Sequence, residues 1–142
     1  LASSAASDVY KRQVSAYLDE HGYSGKYQIE QCQVSELAEK GNIELPVVPE
    51  GCVHNAHMFY IKAKDLEERT RLIAYMKENG IGCVFHYIPL HSAPAGRKFG
   101  RFHGEDQYTT KESERLMRLP MYYGLKPEDV EKVIETIKNF YK

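Results

Sequence analysis

Apolar and polar positions fall into a regular pattern only from about residue 54 onward. HMFYIKA (57–63) alternates as a strand does, with side chains pointing to opposite faces in turn. Asp65 follows as a helix N-cap, and Glu68, three residues on, completes a capping box. Leu66, Ile73 and Met76 are spaced for one apolar face, Glu67 and Arg71 stand at i,i+4, and Gly80 marks the stop. IGCVFHYI (81–88) is rich in β-branched and aromatic residues and predicts a second strand. Pro89 ends it, because proline has no N–H for the ladder.

A polar stretch, 89–108, comes next. It holds Pro94, Gly96, Gly100 and Gly104 with three basic residues, Arg97, Lys98 and Arg101. A connection of that length in a small domain is usually functional or mobile. Thr109 and Glu112 read as a second capping box, for a helix to about Arg118, and LPMYY (119–123) as a short third strand. Pro127 suits the first turn of a last helix, where Glu128 and Asp129 favour the N-terminus and Val130, Val133, Ile134, Ile137 and Tyr141 make the apolar face. Upstream the pattern is weaker. Val34, Leu37 and Ala38 suggest a helix over 28–40 ending at Gly41, and the prolines of IELPVVPEGC (43–52) suggest an extended connector.

These elements predict an α+β fold: a small, largely antiparallel sheet with helices on one side. The expected organisation is a non-native tail at 1–13 (small, polar and aperiodic), a linker and helical segment at 14–50, and a small domain at 51–142.

Composition narrows the function classes. Hydrophobic residues make up 42% of the 142 positions and charged residues 27%, as in soluble globular proteins. A net charge of −1 argues against a general nucleic-acid or membrane-surface binder, both of which need a basic excess. No apolar run approaches the roughly 18 residues that span a bilayer. Cys32, Cys52 and Cys83 are odd in number and lack CxxC spacing, so reduced thiols in a cytoplasmic protein are expected. The first residues lack the basic and apolar regions of a secretory signal.

The densest chemistry is HYIPLH (86–91). Strand alternation groups His86 with Val84 and Ile88, and Tyr87 with Phe85; His91 lies in the loop beyond. Side chains at a strand end beside a long loop are held firmly and reached easily, and histidine and tyrosine suit a hydroxylated or phosphorylated ligand. The competing reading is that both histidines are hydrogen-bonded structural groups. A metal site would need a third ligand from His54, His57 or His103, and the spacing lacks the helical geometry of HExxH. Arg97, Lys98 and Arg101 are candidates for phosphate contact, or else a solvated loop. No glycine-rich phosphate loop, GxSxG elbow or nucleotide fingerprint is present.

Three stretches carry a resemblance. LAEKGNIELPVVPEGCVHNAHMFYIK (37–62), FHYIPLHSAPAGRKFGRFHGEDQYTTKESERLMRLPMYYGL (85–125) and the closing helix together resemble the C-terminal region of the DegT/DnrJ/EryC1/StrS aminotransferases. The resemblance covers about residues 35–142 and implies the small domain of a type I pyridoxal-phosphate enzyme, closing over a large domain that carries the cofactor. It implies transfer of an amino group from glutamate, through pyridoxal 5'-phosphate, to C4 of dTDP-4-keto-6-deoxyglucose in a homodimer. By that resemblance the Schiff-base lysine lies in the large domain; Lys26, in YSGKY, is not in its context. No catalytic residue is then expected here, and His86, Tyr87 and His91 become substrate-side wall. The alternative is a stand-alone small-molecule or metal-binding module built on HYIPLH.

Overall fold

The computed structural model describes residues 34–52, 58–122 and 124–142. In chain order the elements are α1 (Ser35–Glu39), β1 (Tyr60–Lys62), α2 (Leu66–Glu78), β2 (Val84–Phe85), α3 (Pro94–Phe99), α4 (Thr109–Arg115), β3 (Leu116–Arg118) and α5 (Pro127–Phe140). The fold is α+β, with a three-stranded antiparallel sheet in the order β1-β3-β2. Tyr60, Ile61 and Lys62 of β1 stand opposite Arg118, Met117 and Leu116, while Val84 and Phe85 of β2 stand opposite Arg118 and Met117. The connector adds a further rung outside β1: Glu44 and Lys62 exchange N–H···O bonds of 2.9 Å in both directions.

One face of the sheet is buried. Ile61 and Met117, paired across β1 and β3, are fully enclosed, whereas Tyr60, Lys62, Leu116 and Arg118 on the other face are half-exposed. Helices α2 and α5 cover the buried side, so the core gathers Ile61 and Met117 with Leu72 and Met76 of α2 and Val133, Ile134 and Ile137 of α5. Val34, Leu37 and Ile43, upstream of residue 51, join the same core.

Helix α2 begins where the sequence predicts. Asp65 is its N-cap and accepts from the Glu68 N–H at 2.9 Å, and the Glu68 carboxylate reaches back to the Lys64 N–H at 2.7 Å. Of its expected face, Met76 is buried and Ile73 packs against the core, but Leu66 does not. Leu66 is 43% exposed, and Leu72 is fully buried in its place. The face runs through Arg69, Leu72 and Met76, at i, i+3 and i+7, and its first member is an arginine. Arg69 lays its stem on the domain, donates Nη1 to the Ser113 carbonyl at 3.2 Å, and stacks over Phe85 with 5.2 Å to the ring centre. Arg71 lies over the Phe140 ring rather than pairing with Glu67.

The third strand is Leu116–Arg118, not 119–123, and the helix before it stops at Arg115, not Arg118. KESERLMR is full of helix formers, so local propensity favours continuing the helix. Pairing with β1 overrides it. Arg115 and Ala63 lock the junction: the Ala63 N–H donates to the Arg115 carbonyl at 2.9 Å, and Arg115 Nε donates to the Ala63 carbonyl at 2.8 Å. The second strand is likewise shorter than 81–88, covering only Val84–Phe85, which pair with Arg118 and Met117. The predicted strand at 57–63 is regular over Tyr60–Lys62; His57 lies outside the described residues. Of the helix expected at 28–40, Ser35–Glu39 is regular, and 28–33 also lie outside them. The stretch 89–108 contains a short helix, α3, where a loop was expected. Helix α5 matches its prediction, from Pro127 in its first turn to the buried Val133, Ile134 and Ile137.

Candidate functional site

Beyond Phe85 the chain has no regular structure to Pro89 and then turns. Ser92 Oγ and the Ser92 N–H both donate to the Pro89 carbonyl at 3.0 Å, and Ala93 N–H does the same at 3.0 Å. Helix α3 starts at once and packs its Gly96 against the turn. A Cβ at Gly96 would lie 1.6 Å from the Leu90 carbonyl oxygen, so only glycine fits.

The turn delivers His91 to the start of α4. His91 Nε2 lies 2.9 Å from Asp106 Oδ2 and 3.1 Å from Thr110 Oγ1, and its ring packs on Phe102 with 4.6 Å between centres. Asp106 also caps α4, accepting from the Thr109 N–H at 2.9 Å and the Thr110 N–H at 3.0 Å, and from the Thr110 hydroxyl. The hydroxyl bond foremost, then these N–H groups and His91, hold the Asp106 carboxyl below its ordinary range. One carboxylate therefore ties the HYIPLH turn to the helix that feeds β3.

The other predicted site residues separate into distinct settings. The half-buried His86 packs edge-on to Tyr87, 4.5 Å between ring centres. Tyr87 itself is 70% exposed. Arg97, Lys98 and Arg101 are all exposed, with Lys98 Nζ over the Phe99 ring at 5.1 Å. His103 is exposed, and His54 and His57 lie outside the described residues. No group of three or more metal-ligating side chains is assembled among the described residues.

Sequence reasoning missed Asp106, Thr110 and Phe102. The signal was present one turn upstream of where it was sought: an aspartate three residues before Thr109 is N-cap spacing. Thr109 itself makes no cap, and Glu112 turns elsewhere. Glu112 belongs to a four-charge cluster in which Lys62 Nζ reaches Glu112 at 2.7 Å and Glu44 at 2.8 Å. Arg115 Nη1 reaches Glu112 at 3.3 Å, and its Nη2 contacts Glu44. The Arg115 and Lys62 hydrogen bonds hold Glu44 down at about 2. Burial works against the charge on Lys62, but Glu112 and Glu44 lift it above the ordinary lysine value.

A cavity of about 310 Å³ lies elsewhere, between the turn at Gly80–Gly82, Tyr122, and Asp129, Lys132 and Val133 of α5. None of the sequence-predicted site residues lines it. Cys83 is buried, which pushes its thiol up to about 11, and Cys52 is exposed; both are free thiols. No described helix is long and apolar enough to cross a membrane.

An α+β domain that latches a histidine-bearing turn beside an exposed aromatic run suits a wall or cover to a binding cleft. Its ancestry is explicit. The sequence profile of the DegT/DnrJ/EryC1/StrS aminotransferase family matches residues 18–138, and the chain belongs to that family. The match begins upstream of the motifs that carry the resemblance. A "Pleiotropic regulatory protein" of Geobacillus stearothermophilus is 32% identical over 112 residues, 76% of this chain and 29% of the relative. A DegT DnrJ EryC1 StrS aminotransferase from Brucella abortus superposes with a TM-score of 0.63 at 25% identity, covering 80% of this chain and 29% of that one. The fold also matches NtdA from Bacillus subtilis, solved with bound cofactor PMP, at a TM-score of 0.62 and 24% identity, over 92% of this chain and 27% of that one. The chain thus spans about 29% of the length of the first relatives it matches.

Proposed function

We propose that this chain is the small C-terminal domain of a cytoplasmic, pyridoxal-phosphate-dependent nucleotide-sugar transaminase. It acts with a large domain and a second subunit on glutamate and on dTDP-4-keto-6-deoxyglucose. The product would be the 4-amino sugar nucleotide of a dTDP-4-amino-4,6-dideoxygalactose transaminase, serving enterobacterial common antigen synthesis. The observation that carries the reading is the surface of 84–108, in a chain that belongs to the family. There Tyr87, Ile88, Leu90, Phe99, Phe102 and Tyr108 are all exposed on the stretch of chain that carries the latched His91. Apolar side chains at that density are what a partner surface or ligand cleft presents.

Lys62, in the four-charge cluster, does not fit the cofactor. A Schiff-base lysine must shed its proton, and Lys62 is held charged between two carboxylates. Membership of the family supports placing the group in the large domain. The role left to this chain is to close the sugar side of the cleft, exclude water, and present His91, with His86 and Tyr87 on the segment that leads to it. Arg97, Lys98 and Arg101 are available to a diphosphate.

The test has two arms. This chain, incubated with equimolar pyridoxal phosphate, cleared of unbound cofactor and reduced with borohydride, should fix no stoichiometric cofactor on any one lysine; a single lysine labelled to completion overturns the reading. In the full-length enzyme, His91→Ala should slow the sugar half-reaction more than the glutamate half-reaction. The margin should be roughly two- to tenfold, the worth of one hydrogen bond. Equal slowing of both would make His91 purely structural.

A further inference from the structure

The neighbours of His91 decide its chemical state. Two oxygens face Nε2: Asp106 Oδ2 at 2.9 Å and Thr110 Oγ1 at 3.1 Å. An ionised carboxylate has no proton to give. The Thr110 hydroxyl hydrogen is already committed, since that hydroxyl bonds to the same Asp106 oxygen. Neither oxygen can donate to Nε2, so Nε2 must carry the hydrogen. In a neutral imidazole the other nitrogen is then a lone pair. Nδ1 makes no hydrogen bond among the described residues and is not a buried orphan. The Phe102 ring packed on the imidazole limits its rotation.

We propose that Asp106 is a positioning residue that locks His91 as the Nε2–H tautomer, so that the ring meets its ligand through Nδ1 as a hydrogen-bond acceptor. The ligand group received there is a hydroxyl. A carbonyl or phosphate oxygen in that place would oppose lone pair to lone pair. Resting on the function proposed above, this directs His91 to a hydroxyl of the sugar and away from its keto oxygen and diphosphate. Thr110 plays the supporting part, aiming the Asp106 oxygen and leaving the hydrogen on Nε2 to His91.

Long-range proton–nitrogen correlation on the 142-residue chain, recorded well above the ordinary imidazole range, reads the two ring nitrogens directly. The expected result is a pyrrole-type Nε2 and a pyridine-type Nδ1 for His91. Thr110→Val, which keeps the carboxylate, should preserve that pattern. Asp106→Asn, whose amide can still cap α4 through its oxygen, should mix or invert it. A wild-type His91 that is averaged between tautomers, Nδ1-protonated or doubly protonated overturns the inference, whatever the variants do. In the full-length enzyme, Asp106→Asn should raise the sugar KM roughly two- to tenfold, again one hydrogen bond, and leave the glutamate half-reaction unchanged. Equal loss in both half-reactions would also overturn it. These outcomes are separate from the borohydride result: a single lysine of this chain labelled to completion defeats the domain assignment and leaves the tautomer standing.

Discussion

Gly96 shows how little freedom the site has at single positions. The atoms an added Cβ would strike, the Leu90 carbonyl oxygen at 1.6 Å and its carbon at 2.6 Å, are backbone and cannot rotate away. Gly96→Ala must therefore pry α3 off the 89–93 turn. A loss of about 1–3 kcal/mol is expected, as for overpacking elsewhere, read as a lower urea midpoint. Glu44 makes a different kind of demand. Its carboxyl is depressed from an ordinary 4.5 to about 2 by Arg115 and Lys62. The stability it contributes is complete above the unfolded value and fades as pH falls from there toward about 2. The Glu44 side chain is 52% exposed, so solvent screening keeps the effect to about 1 kcal/mol or less. Melting temperatures between pH 6 and 3 should fall less for Glu44→Gln than for the wild type; parallel curves would remove Glu44 from the acid response.

Elements here are short, and tertiary contacts hold them. β3 has three residues, too few for independent stability, yet its Met117 is fully buried against Ile61 and Phe85. Met117→Ala should cost about 2–5 kcal/mol in chemical denaturation, the range for a buried methionine. Leu66→Ala, on a residue whose apolar spacing looked equally good, should cost about 0.5 kcal/mol or less, since half-exposed surface positions contribute little. If the two variants proved equally damaging, the assignment of Arg69, Leu72 and Met76 as the buried face of α2 would be wrong.

Among the described residues, most of the exposed large apolar side chains fall between residues 84 and 108. Tyr87 is 70%, Leu90 82% and Phe99 80% exposed on one stretch of chain, while the core proper lies behind the sheet under α2 and α5. In the proposed reading a large domain covers that stretch. By itself the chain should self-associate as concentration rises and bind a hydrophobic dye. Tyr87→Ser combined with Leu90→Ser should reduce both, measured by sedimentation and dye fluorescence. A sharp two-state melt of a strict monomer with no dye binding would count against a hidden interface on this face.

The periodic apolar stripe of α5, the Asp65 cap of α2 and the α+β class were legible in the sequence, because each depends on residues within a turn or two of one another. HYIPLH stood out as the place to look for the same reason: proline, histidine and tyrosine announce a turn with chemistry on it. The limits of β3 were not legible, since a helix-favouring segment becomes a strand only when Ile61 and Phe85 are there to pair with it. Only part of the α2 face was legible: Met76 and Ile73 were, while Leu72 and Arg69, whose charge hides its stem from any hydropathy pattern, were not. Asp106 could be read as a cap but not as the partner of His91, fifteen positions away. Local chemistry wrote the elements. The sheet order, the latch on His91 and the exposed aromatic side depend on groups distant in sequence, and only folding brings those within hydrogen-bonding and van der Waals reach.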